Sequence, residues 1–224
     1  MKGKNLTSYF RSRVTALITT LIVVAGQVWI SYVIKPIPIW ILPSVTGILL
    51  IISIIFYSGR DTQPSKTARL FSIAVVVFLT LINSASIAWF IYDMLNPDTI
   101  TISYELLLVG FSIWLVNIGI YALAYWEFDT GGPEIRELGL PTVFRKKIYP
   151  DFVFVQQKSD PNITVPPSWR PGFIDYLYLS ITTSTAFGPS EPTPYSHSAK
   201  MMTGSQSLIS LFTLGLIIAR AISL

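Results

Sequence analysis

Long apolar blocks alternate along the chain with short polar ones. Five blocks carry no charged residue: 14–34, 36–58, 70–92, 106–126 and 201–219. A helix rises about 1.5 Å per residue and the hydrocarbon core of a bilayer is about 30 Å thick, so a span needs about 20 apolar residues. The pattern predicts an all-α membrane protein with about five transmembrane helices. Blocks one and two are separated only by "IKPIPIW", where Lys35, Pro36 and Pro38 stop the helix and set up a tight hairpin. Aromatic residues mark the block ends: Trp29 with Tyr32, Trp40, Phe56 with Tyr57, Trp89 with Tyr92, and Tyr125 with Trp126. Such rings favour the headgroup level.

After the fourth block the pattern changes. Residues 127–172 are polar and rich in proline and glycine, which predicts a loop with a short strand at "FVFVQ" and an interfacial helix. Residues 173–184 are apolar again, but as a helix they reach only about 18 Å. That is too short to span and too apolar for water. The segment runs into Thr, Ala, Phe, Gly and Pro, where a helix stops. It reads as a re-entrant half-helix followed by a loop. Non-helical backbone at membrane depth must be buried in protein or line a watery cavity. The half-helix points the negative end of its dipole there. Oxygen atoms of Thr183, Thr185, Ala186 and Phe187 are then placed to replace a cation's hydration shell. One chain supplies one such loop, so a closed pore needs several copies, most simply four.

Composition narrows the chemistry. Apolar residues make up 51% of the chain and charged residues 12%, against about 25% charged in a soluble domain. Cysteine is absent, which removes disulfides and thiolate metal sites. The single histidine, His197, lies in a short polar loop without a partner, and no acid cluster accompanies it. No cofactor, metal or enzymatic activity is expected. The first apolar block is longer than a signal-peptide core and no small-residue cleavage site follows it, so it reads as a retained span.

The basic residues lie between apolar blocks, a pattern of membrane orientation rather than of nucleic-acid binding. Thirteen of the sixteen fall before the first block (Lys2, Lys4, Arg11, Arg13), between the second and third (Arg60, Lys66, Arg69), and in the long loop (Arg136, Arg145, Lys146, Lys147, Lys158, Arg170), while Lys35 lies between the first two blocks and Lys200 and Arg220 flank the last. If every block spans, the regions holding the thirteen share one face, and the positive-inside rule puts that face in the cytoplasm. Polar residues inside the blocks, such as Asn83, Ser86 and Asn117, read as glue between helices. Gln206 and Ser210 stand four apart on the last block and share a face.

Residues 173–194, "FIDYLYLSITTSTAFGPSEPTP", resemble the pore loop of potassium channels, which typically reads F-x-D-A-L-Y-F-S-x-T-T-x-T-T-V-G-Y-G-D. Phe173, Asp175, Leu177, Tyr178, Ser180, Thr182, Thr183, Thr185, Gly188 and the acid Glu191 stand in matching register. The resemblance implies a homotetrameric cell-membrane pore for monovalent cations, held in membrane lipid. It implies a pore-like domain over 101–224: an outer helix at 103–128, a polar loop at 129–172, the pore helix and filter-like loop at 173–194, and an inner helix at 199–223. Residues 1–100 form a peripheral three-helix region without the arginine ladder of a voltage sensor. The filter-like loop comprises Thr182, Thr183, Thr185, Ala186, Phe187, Gly188, Pro189 and Ser190. Glu191 stands at the mouth, and Asp175 compensates the pore-helix dipole. Gln206, Ser210 and Gly215 would line the inner helix, with Gly215 as its hinge.

The filter itself departs from the family. Its T-V-G-Y-G falls on Ala186, Phe187, Gly188, Pro189 and Ser190. The hydroxyl of the first threonine is gone, Pro189 fixes φ near −65° and has no N–H, and Ser190 replaces a glycine. Potassium selectivity is therefore not implied. The alternative is a non-conducting scaffold or accessory subunit that keeps the pore-loop architecture. If all five blocks span, the positive-inside pattern has the loop enter from the cytoplasmic side, as in ionotropic glutamate receptors and opposite to potassium channels; if one early block does not span, the loop enters from the other side.

Overall fold

The computed structural model describes residues 3–34, 41, 44–49, 51, 66–95, 103–137, 149–158, 169–185 and 192–222. In chain order the elements are α1 (Gly3–Ile34), α2 (Lys66–Leu95), α3 (Ser103–Phe128), α4 (Pro133–Glu137), β1 (Phe152–Val153), α5 (Val155–Lys158), α6 (Phe173–Thr185), β2 (Thr193–Pro194) and α7 (His197–Ile222). Among the described residues four helices are long and apolar enough to cross a membrane: α1, α2, α3 and α7. The expected span at 36–58 falls mostly outside the described residues, although 44–49 are helical.

Helix α3 is the axle of the bundle. It packs against α1, α2, α6 and α7. Of its most apolar stretch 61% is buried within the protein, against 17% for α7. Small residues let the neighbours come close. A Cβ on Gly119 would lie 2.4 Å from a methyl of Val23, so at this crossing α1 rides directly on the α3 backbone. At the far end of α3 a Cβ on Gly110 would meet Phe90 of α2 at 2.7 Å and Ile217 of α7 at 2.9 Å.

These contacts fix the directions. Val23 meets Gly119 and Arg13 lies over Trp126, so α1 is antiparallel to α3. Asn83 meets Asn117 and Phe90 meets Gly110, so α2 is antiparallel to α3 as well. Ser205 meets Tyr121 and Ile217 meets Gly110, which sets α7 antiparallel too. The starts of α1, α2 and α7 therefore gather at the C-terminal end of α3. The basic residues Arg13, Arg69 and Arg136 lie at this same end.

Two aromatic expectations are corrected. Trp29, Tyr32, Trp89 and Tyr92 are exposed, as membrane-interface rings should be, but Tyr125 and Trp126 are buried. The Tyr125 ring meets Phe152 edge-on and the Trp126 ring meets Phe173 edge-on. Polypeptide folded over the end of α3 takes the place of lipid headgroups around them. The segment "FVFVQ" also forms less strand than expected. Only Phe152 and Val153 pair with β2, and the chain turns helical at Val155.

Candidate functional site

Helix α6 reaches about 20 Å, short of the hydrocarbon thickness. It begins at the gathered end of the bundle. The Phe173 amide faces the Ser12 hydroxyl of α1 at 3.4 Å, and its ring lies against Trp126. The start is locally encoded. Asp175 Oδ2 accepts the Gly172 backbone N–H at 2.7 Å, one half of a capping box, and sits in the positive end of the helix dipole. Burial pushes the Asp175 carboxyl above the usual carboxylate range, and the Gly172 and Asp175 amides oppose that shift.

From there α6 runs into the bundle between α3 and α7. Ser180 donates to the Ile118 carbonyl of α3 at 2.7 Å. Gln206 of α7 places its amide nitrogen 3.0 Å from the Ser180 carbonyl, 2.7 Å from the Ser180 hydroxyl and 2.7 Å from the Ser184 hydroxyl. Its amide oxygen accepts from the Tyr125 hydroxyl. Ser180, Ser184, Tyr125 and Gln206 are all buried. In so apolar a setting an unmade bond costs about 1–3 kcal/mol, so this cluster holds the tip of α6 in register.

The chain comes back where it left. β2 pairs antiparallel with β1, Thr193 opposite Val153 and Pro194 opposite Phe152. The Tyr195 amide donates to the Asp151 carbonyl at 2.7 Å, and the Ser196 hydroxyl caps α7 by accepting the Ala199 N–H at 3.0 Å.

A buried polar latch ties these pieces to α3. Asp129 Oδ1 accepts the backbone N–H groups of Asp151 (2.8 Å) and Phe152 (3.2 Å) and the Thr130 hydroxyl (2.9 Å). Asp129 Oδ2 accepts the Tyr176 hydroxyl of α6. Arg136 closes the end of α3, donating to the carbonyls of Asp129 (2.6 Å) and Trp126 (2.8 Å), and its guanidinium lies 4.9 Å from the centre of the Tyr176 ring. The turn that allows this holds Thr130 at φ 54° and passes through Gly131 and Gly132 at φ 77° and 106°, where glycine carries no Cβ penalty.

The expected site residues divide into three groups. Ala186, Phe187, Gly188, Pro189, Ser190 and Glu191 lie outside the described residues. Thr182 and Thr185 bond back to α6's own carbonyls, Thr182 to Tyr178 and Leu179, Thr185 to Ile181 and Thr182. The Thr183 carbonyl faces Ser207 of α7 at 3.5 Å. Gln206 and Ser210 do share a face, but it is turned inward, and they are 0% and 1% exposed. Ser210 meets Asn117 of α3 at 3.4 Å. This corrects their assignment as an open lining: within the protomer they join helices. Gly215 opens on empty space, and α7 runs through it unbroken.

Sequence reasoning gave no site role to Asp129, Arg136, Tyr176 or Ser184. The signal for the first two was the "DTGG" turn followed by an arginine, directly after an apolar block. Comparison of the chain with protein-family models, with curated proteins and with solved structures finds no match.

Proposed function

We propose that the chain is a multi-pass cell-membrane protein built around a re-entrant pore loop, four copies of which form a weakly selective conduit for monovalent cations. One observation carries this reading: α6 starts beside Trp126 at one end of the bundle, and the chain is back at that end at Thr193. A helix too short to cross, entering and returning on one side, is what a pore helix requires. Its C-terminal dipole end points into the bundle, where carbonyl oxygens favour cations. With Gln206 and Ser210 engaged inside the protomer, the side of α7 left for meeting other copies is its exposed stripe of Gly204, Leu208, Leu211, Gly215 and Ile218. These stand at i, i+4, i+7, i+11 and i+14, one face of a helix.

The second reading is a non-conducting scaffold with the same architecture. Pro189 and Ser190 in place of the filter's tyrosine and glycine favour it. A flux assay on purified protein in liposomes separates the two. Entry of K⁺ and Na⁺ without Cl⁻ supports the conduit. No cation entry, in protein shown to be folded and inserted in both orientations, leaves the scaffold.

A further inference from the structure

We infer that an ordered water molecule is bound between α1 and α2, bridging Gln27, Ser31 and Asn83. The observation is a set of buried polar atoms without partners on α1 and α2. Gln27, Ser31 and Asn83 are 0%, 2% and 3% exposed, and Gln27 Oε1, Ser31 Oγ and Asn83 Oδ1 make no hydrogen bond.

The register between the two helices brings them together. Helices α1 and α2 run in the same direction from the end that holds Arg13 and Arg69. Gln27 Nε2 donates to the Leu79 carbonyl at 2.8 Å, which sets the register between them. One turn further along each helix stand Ser31 and Asn83, on the same faces as Gln27 and Leu79. The amide orientation follows from the chemistry. A carbonyl only accepts, so nitrogen must face Leu79 and oxygen must be the free end of Gln27. Asn83 Nδ2 lies 3.3 Å from Asn117 Oδ1, and Asn83 Oδ1 is the atom left without a partner.

Two acceptor oxygens and one hydroxyl match one water. It donates both protons to Gln27 and Asn83 and accepts the Ser31 proton. Buried waters typically make about three such bonds. Three neutral oxygens with no carboxylate fall well short of what a cation needs to shed its hydration shell; Ca²⁺, for instance, takes about 6–8 oxygens. The bridge would complete a polar ladder through four helices: Gln27 and Ser31 on α1, Asn83 on α2, Asn117 on α3 and Ser210 on α7.

Ser31→Ala tests this in the full-length protein, because in a dry structure it deletes a hydroxyl that bonds to nothing. With the water present, the variant lowers the thermal midpoint by about 2–4 °C. Combined with Asn83→Leu, the loss is smaller than the sum of the single losses, since both act through one molecule. A cryo-EM map that resolves buried waters shows density within hydrogen-bond reach of all three side chains. A Ser31→Ala midpoint that is unchanged or raised overturns the proposal, as do additive losses or an empty gap in that map.

Discussion

Gln206 on α7 holds Ser184 on α6 at 2.7 Å, deep in the bundle and 22 positions away in sequence. The same amide reaches Ser180, which is itself bonded to α3. One side chain therefore fixes how far the tip of the short helix sits from the two long ones. Gln206→Leu keeps the bulk and removes its bonds, leaving the Ser184 and Tyr125 hydroxyls without it and Ser180 with only its bond to the Ile118 carbonyl. Such groups cost about 1–3 kcal/mol each when buried. The expected outcome is a fall of several degrees in the thermal midpoint in detergent. Ser184→Ala, which leaves fewer orphans, should lose less. Equal losses would show that Ser184 and not Gln206 organises the cluster.

At the other end of α6 the tie is Asp129 to Tyr176. Asp129→Ala frees two backbone N–H groups and the Tyr176 hydroxyl at once, and is expected to cost about 3 kcal/mol or more. Tyr176→Phe removes one bond and should cost about 1–2 kcal/mol. In a double-mutant cycle on unfolding free energies, Asp129→Asn and Tyr176→Phe should show a coupling well above 0.5 kcal/mol, as for groups in direct contact. Additive effects would mean the two do not act together.

Close helix approach makes a compensation experiment possible. Gly119→Ala puts a methyl 2.4 Å from Val23, so α1 must shift, and overpacking of this kind costs about 1–3 kcal/mol. Val23→Ala removes the clashing methyl. The double variant should regain stability over Gly119→Ala alone, as read from thermal unfolding. Failure to regain it would place the strain elsewhere.

The filter reading makes its own prediction. Replacing Pro189 by Tyr and Ser190 by Gly puts the residues of a potassium-channel filter at those two positions. Liposome flux should then shift toward K⁺ over Na⁺ relative to the unaltered protein. An unchanged ratio would show that these positions do not form the narrowest point.

How much of this was legible in the sequence depends on the range of the interaction. Block lengths located α1, α2, α3 and α7, because the cost of unpaired backbone in lipid forces any such block into a helix. The observed helices extend past the apolar blocks, as α1 does back to Gly3, since backbone pairing continues where hydrophobicity ends. The length of α6 and the acid in its first turn, Asp175, were also local, and therefore readable; that Asp175 caps the Gly172 N–H came from the structure. The Asp129–Tyr176 tie was not, because it joins residues 47 apart with no period between them. Spacing placed Gln206 and Ser210 on one face correctly. What that face meets depends on packing against α3 and α6, and pattern alone does not contain it.

The central structural claim is that the chain returns to the side from which α6 starts. The absence of cysteine allows a direct measurement, with single cysteines at exposed positions and a membrane-impermeant maleimide applied to one side of sealed, oriented vesicles. Tyr149 precedes α6, Tyr195 follows β2, and Tyr104 lies at the opposite end of α3, all exposed. The account predicts that Tyr149→Cys and Tyr195→Cys react from one side and Tyr104→Cys from the other. Reaction of Tyr149→Cys and Tyr195→Cys from opposite sides would mean that the segment between them crosses the membrane, and would contradict the account.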